Sequence, residues 1–115
     1  MKGKMNKKSV TIIGFGRFGK TLFELLKNDF TVTIYQRNKK ETNLPITNDL
    51  QEAYRSDVIF YAIPIQTFAS VIKEHKKFFR ADHILIDVLS VKLYPAKIFP
   101  LFIFLINSNG KIVLQ

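Results

Sequence analysis

The chain has 115 residues and no cysteine. That absence excludes disulfides, thiolate catalysis and cysteine-based metal sites. Histidine is scarce as well. His75 and His83 are the two present, neither has a partner at metal-ligand spacing, and no metal site is expected. Long apolar runs are missing: residues 101–106, as long an unbroken run as any in the chain, are far shorter than the ~20 residues a helix needs to cross a bilayer. Residues 1–8 are basic, but no apolar core follows them, so they do not read as a secretory signal. A soluble, cytoplasmic protein is the expectation. No internal repeat or low-complexity linker divides the chain. One domain over residues 9–115, behind a basic tail at 1–8, fits this length.

What is present is a core and an excess of positive charge. The composition is 47% hydrophobic with eleven Phe, enough to bury a core, and the formal net charge is +9. Basic residues gather at 2–8, 37–40, 73–80 and 92–97. Such an excess attracts anions: nucleic acid, acidic surfaces or a phosphorylated cofactor. A plain solvated basic surface accounts for the same charge. Nucleic acid is disfavoured because no aromatic–basic interleaving marks a stacking platform.

The pattern of apolar residues alternates between two periods. Residues 10–13 read as a buried strand, and 17–28 as a helix with Phe18, Leu22, Leu25 and Leu26 on one face. Residues 31–35 read as a second strand, 37–45 as a polar loop, and a brief strand lies near Ile46. Asn48 or Asp49 caps a short helix running to about Arg55. Residues 57–63 form a continuous apolar run after one acid, which suits a central parallel strand, and Pro64 stops it. Residues 67–79 read as a helix with Phe68, Val71, Ile72, His75 and Phe79 inward. Residues 83–88 are another buried strand. A short helix is expected from Pro95 to Pro100, then a last strand at 101–106, a turn at 107–110, and a return strand at 111–114. This order predicts an α/β fold: a Rossmann-type doubly wound, mainly parallel sheet with helices on both faces and a C-terminal hairpin at the sheet edge.

Within it, Gly14-Phe15-Gly16-Arg17-Phe18-Gly19 is a G-x-G-x-x-G pattern that follows a predicted strand and opens a predicted helix. In that context it reads as a dinucleotide-binding loop. Gly14 permits the tight turn, Gly16 lets backbone approach a pyrophosphate, and Gly19 lets the helix pack on the strand. Helix N-terminal N–H groups then meet the phosphates. An NAD site places an acid after the second strand, to hold the ribose 2′-OH. Here the sequence is Gln36-Arg37-Asn38-Lys39-Lys40, with no acid before Glu41. A carboxylate would repel a 2′-phosphate, whereas Arg37 can pair with one, so NADP is the expected cofactor. Arg37 as a merely solvated loop cation is the competing reading. Ile63 and Pro64, and the stretch from Asp87 through Val88 to Ser90, follow strands at their carboxyl ends, where ligands sit in open α/β sheets.

The segments "GFGRFG", "YQR" and above all "IDVLSVK" (residues 86–92) together resemble the prephenate/arogenate dehydrogenase family, the last most closely the plant-type arogenate dehydrogenases. The resemblance spans about residues 10–99. It implies NADP-dependent oxidative decarboxylation in tyrosine biosynthesis: hydride leaves C4 of the cyclohexadienol for NADP⁺, and CO₂ is lost as the ring aromatises. It implies that Ser90 stands near the reacting hydroxyl, bonding the substrate or orienting a catalytic His, and that residues 88–91 lie near the nicotinamide. A helix-cap or turn hydroxyl is the plainer role for Ser90. Lys92 either neutralises an anion or is a surface lysine.

The family's His-Pro motif, whose His takes the hydroxyl proton, has no counterpart after Phe99-Pro100, and neither has its helical C-terminal domain. The tail from residue 100 looks atypical. The expectation is therefore a truncated cofactor half, inactive alone. The alternative is a non-catalytic NADP(H)-binding sensor or subunit module. Either would self-associate or join a separate helical partner.

Overall fold

Runs of β-branched and aromatic residues, which suit a pleated surface, form the strands of the computed structural model, which describes residues 7–38, 42–93, 97–106 and 112–114. Five strands are parallel: β1 (Ser9–Ile13), β2 (Thr31–Tyr35), β3 (Ile46–Thr47), β4 (Val58–Tyr61) and β5 (Ile84–Leu93). Two antiparallel strands, β6 (Lys97–Ile106) and β7 (Ile112–Leu114), follow at one edge. The sheet order is β3-β2-β1-β4-β5-β6-β7. The chain leaves β1 toward β2 on one side and returns to β4 on the other, so the strand order reverses between β1 and β4. Crevices open at such a point, beyond the carboxyl ends of the strands.

Helices cover both faces. Alternate residues of a strand point to opposite faces, and the core divides accordingly. Val10, Ile12, Val32, Ile34 and Phe60 pack against Leu22 and Phe23 of α1 (Arg17–Leu26). On the other face Ile13, Tyr35, Ile59, Tyr61 and Leu85 meet Ala53 of α2 (Leu50–Ala53) and Phe68, Val71 and Ile72 of α3 (Ile65–His75). Each fully buried aliphatic side chain here stabilises the fold by about 1.5–3 kcal/mol. The polar group among them is satisfied: the fully buried Thr11 hydroxyl bonds the Ala53 carbonyl and, at 2.7 Å, the Ser56 hydroxyl. Among the described residues no helix is long and apolar enough to cross a membrane.

The strand at 31–35 appears with the expected bounds, and Asp49 is the cap of α2, its carboxylate accepting from the Gln51 N–H at 3.0 Å. The helix expected at 17–28 ends at Leu26, and the one expected at 67–79 begins two residues earlier, directly after Pro64, and tightens into a 3-10 turn over Lys76–Phe78. The main correction concerns residues 88–93 and 97–100. The strand expected to end at Val88 runs on to Leu93, and the short helix expected up to Pro100 is strand instead, with Ser90 opposite Pro100 and Leu93 opposite Lys97. A four-residue helix has little stability of its own, and a long antiparallel ladder supplies the backbone partners it would lack. Among the described residues β7 pairs only Phe104 to Ile106, so no strand flanks the far side of β6 at Pro100, and prolines in sheets are found on such edges. Pro95 and the turn at 107–110 lie outside the described residues.

Candidate functional site

The glycine loop is held by contacts that only glycine permits at two of its three positions. Gly14 has φ +101°, and a Cβ there would stand 2.6 Å from the Ala62 carbonyl oxygen and 2.8 Å from Ile63 Cγ2. Its N–H donates to the Tyr35 carbonyl at 3.1 Å, tying the turn to the end of β2. A Cβ on Gly19 would stand 2.5 Å from the Gly14 carbonyl oxygen. The turn and the first turn of α1 therefore lock together, as expected of these two glycines. Gly16 differs: nothing lies within 4 Å of a Cβ placed there. Its glycine answers no internal crowding and faces open space. As the residue before α1, Gly16 provides no capping side chain, and the first turn holds no acid. The first N–H groups of a helix have no partner within it, and no N-cap side chain bonds them here.

Two clefts flank this loop. One, of about 330 Å³, is bounded by Gly14 and Phe15, by Gln36, Arg37 and Asn38 after β2, by Ile63 after β4, and by Val71 and His75 of α3. The other, of about 430 Å³, is bounded by Gly16, Arg17 and Phe18, by Ile63, Pro64 and Ile65, and by Val88 of β5. The two share Ile63 and meet at the loop. Every expected cofactor residue therefore borders one cleft or the other except Gly19, which is buried behind the loop. Ser90 stands two residues beyond Val88 in β5, inside the antiparallel ladder with β6 rather than in a loop after a strand.

Beside the first cleft, Arg37 has a partner that local sequence did not single out, Glu74. Arg37 donates from Nη2 to Glu74 Oε1 at 3.0 Å. Glu74 lies on the outward side of α3 and reads locally as a solvated charge; its partner is 37 residues away in sequence. Tyr35 and His75 meet edge to face, 5.6 Å between ring centroids. Burial lifts the Tyr35 hydroxyl above its ordinary pKa, with Arg37 opposing and Glu74 reinforcing the shift. Burial lowers His75, while Glu74 raises it and Arg37 lowers it.

Both histidines are committed to the scaffold. His75 Nδ1 and the Tyr54 hydroxyl are 2.8 Å apart, and that hydroxyl is 2.9 Å from the Tyr61 hydroxyl. Burial raises both phenols, so both stay protonated. His83 Nδ1 accepts from the Arg80 N–H at 2.8 Å, so its Nε2 carries the hydrogen and donates to the Tyr54 carbonyl at 2.9 Å. Burial keeps His83 below its ordinary pKa. Asp87, the acid of the "DVLSVK" stretch, is buried, which pushes its carboxyl up against the opposing pull of the Val88 N–H.

A parallel sheet with this strand order, a glycine turn locked against the helix it opens, and clefts on either side define a Rossmann-type nucleotide-binding fold. The sequence matches the prephenate dehydrogenase nucleotide-binding domain over residues 26–106, and the chain belongs to that family. The match begins after the glycine loop and extends to residue 106, beyond the span of about residues 10–99 over which the sequence motifs carry the resemblance. Comparison with curated proteins finds no match. Among solved structures, the chain resembles Plasmodium falciparum pyrroline carboxylate reductase with NADP bound (TM-score 0.58, 18% identity, 75% of this chain and 43% of that one). It also resembles an NADPH-dependent glyoxylate/hydroxypyruvate reductase from Sinorhizobium meliloti in complex with citrate (0.57, 18%, 70% and 26%). A third is an engineered D-amino acid dehydrogenase bound to NADP⁺ (0.54, 20%, 71% and 27%). The chain spans less than half the length of each.

Proposed function

We propose that residues 9–115 form the NADP(H)-binding domain of a prephenate/arogenate dehydrogenase-like oxidoreductase. The observation that carries the cofactor choice is Arg37: it borders the cleft beside the glycine loop, at the end of a β2 that supplies no acid. Open space at Gly16 and the uncapped, acid-free start of α1 suit a pyrophosphate. In this reading Gly14, Phe15, Gln36 and Arg37 hold the adenosine side, with Arg37 on the 2′-phosphate. Gly16, Arg17, Phe18, Ile63, Pro64 and Val88 border the pyrophosphate and nicotinamide side. NADP⁺ bound there supplies a hydride acceptor. Ser90 is the residue that the family resemblance sets near the substrate hydroxyl.

The scaffold roles of His75 and His83 leave this chain without a free histidine base. The proton acceptor and the closure of a prephenate or arogenate pocket then come from a helical domain or partner, and the reaction belongs to tyrosine biosynthesis in the cytoplasm. The same commitment of both histidines supports the second reading, a non-catalytic NADP(H)-binding subunit or sensor module.

Calorimetry with NADP⁺ and NAD⁺ tests the cofactor assignment. A charge-assisted hydrogen bond is worth about 1.5–3 kcal/mol, a preference of roughly tenfold or more for NADP⁺ at low salt. Arg37→Ala should abolish that preference. Equal affinities in the unaltered chain would refute the assignment.

A further inference from the structure

The end of β2 lacks the acid of an NAD site, yet a carboxylate reaches the same place from another element. Arg37 enters from the loop after β2, and Glu74 from the last turn of α3; they meet at 3.0 Å. Their chain neighbours Asn38 and His75 both border the first cleft, as does Arg37 itself. The ion pair therefore joins two walls of the cleft in which the 2′ position of a bound nucleotide would lie.

We propose that Glu74 is a specificity-determining residue for that position: its carboxylate competes with the 2′-phosphate for Arg37 and holds the preference for the phosphorylated nucleotide below what Arg37 alone would give. The inference rests on Arg37 being the 2′-phosphate partner. The pair is exposed, with side chains 70% and 50% accessible, and such pairs are weak and easily exchanged. It uses Nη2 of Arg37 alone, leaving other guanidinium donors for a second acceptor. A phosphate dianion carries more charge and more acceptor oxygens than a carboxylate, so it takes the guanidinium. The displaced carboxylate stays tethered to α3 a few ångströms away and repels the phosphate. A ribose 2′-OH is neutral and meets neither effect. Glu74 thus acts on the phosphorylated nucleotide and not on its unphosphorylated counterpart.

The test is calorimetric titration of the 115-residue chain with 2′,5′-ADP and with 5′-AMP at low salt. Glu74→Gln should tighten 2′,5′-ADP about two- to fivefold, the range of an exposed ion pair, and leave 5′-AMP unchanged. Glu74→Lys should tighten 2′,5′-ADP further. Raising the salt to about 1 M, where charges are screened beyond about 3 Å, should erase most of the difference. Weaker 2′,5′-ADP binding in Glu74→Gln would overturn the proposal, because Glu74 would then be positioning Arg37. No change, or an equal change for both nucleotides, would overturn it as well. Arg37→Ala separates the two levels. If the unaltered chain prefers 2′,5′-ADP, Arg37→Ala loses that preference and Glu74→Gln leaves it untouched, the role of Glu74 alone falls. If the unaltered chain shows no preference and Arg37→Ala changes nothing, the assignment of Arg37 falls and this inference with it.

Discussion

The two sides of the glycine loop are built on different principles. The cleft toward β2 and α3 is assembled from short parallel elements, each ending at the same edge of the sheet. Its walls are fixed by the buried core beneath them: Tyr35 and Tyr54 meet His75 edge to face, Tyr61 bonds Tyr54, and Ile59 and Leu85 are fully buried. The cleft toward β5 is bounded by Val88 in a strand that does not stop there but continues to Leu93 as one arm of an antiparallel ladder with β6. The first side presents Arg37 and the titratable Tyr35 and His75; the second presents mostly apolar side chains and backbone, with Arg17 as its one cation among the described residues. The contrast shows how one motif, the glycine turn, borders two unlike surfaces: a polar one beyond the end of β2, and a mainly apolar one beside β5, which runs on.

The largest effect should appear on the β5 side. With both histidines held in the scaffold, the 115-residue chain supplied with NADP⁺ and either prephenate or arogenate should form NADPH at least ~10²-fold more slowly than the median enzyme rate of about 10 s⁻¹, the share that general acid–base catalysis usually supplies. Turnover near that median would show that a base exists on this side which its geometry does not reveal.

The glycines sharpen the comparison next. Gly14→Ala should lower the melting temperature markedly, since positive φ and a Cβ 2.6 Å from a backbone oxygen together cost at least about 1–3 kcal/mol. Gly16→Ala, into open space, should change stability by less than ~0.5 kcal/mol and still weaken NADP⁺ binding. Equal melting shifts in the two variants would erase the distinction between a glycine required by packing and one required by a ligand.

A smaller effect tests the titratable wall. The folded chain keeps His75 and His83 neutral, with pKa values lowered by burial. Below about pH 6.5, the ordinary His value, the unfolded chain binds protons that the folded one does not. Stability should therefore be full above that pH and decline as pH falls through it toward the lowered folded values. Asp87 has the opposite sign. Its raised pKa means the folded chain binds more protons just above the ordinary Asp range, so this group favours folding most at the acidic end. Melting temperatures from pH 7.5 to 5.5 should fall, and a flat profile would mean that neither histidine is buried as described.

The smallest effect concerns the far edge of the sheet. Because β7 pairs only Phe104 to Ile106, the outer side of β6 over residues 97–103 has no strand partner among the described residues. Open edges recruit other strands, and two-fold dimers are the commonest closed assembly. Light scattering should show weak, concentration-dependent dimers. A monomer at all concentrations would assign the edge to a different cover.

Much of the fold was legible locally. Short apolar, β-branched or aromatic runs mark β1, β2 and β4, and a 3.6-residue period marks α1 and α3, because each buries its own residues; the glycine turn is legible because positive φ and a crowded Cβ leave no other residue type. The end of β2 declares its chemistry through Arg37 and the lack of an acid. Glu74 was not legible as part of the site, since nothing near it in sequence distinguishes it from any outward charge on a helix. The inward position of His75 was legible, but the partners of His75 and His83 were not, since both bond Tyr54 from another element. The course of residues 88–93 and 97–100 was misread for a related reason. Proline is a strong local signal for a helix start or stop, but whether a segment becomes strand is decided by a partner strand, and beyond the β4 pairing at residues 84–87 β5 continues as one side of a ladder with β6. Sequence by itself determined the elements whose stability comes from their own periodicity and the turn whose backbone admits only glycine. Tertiary structure decided the contacts made across elements: which carboxylate meets Arg37, which histidines are spent on the core, and where the fifth strand stops.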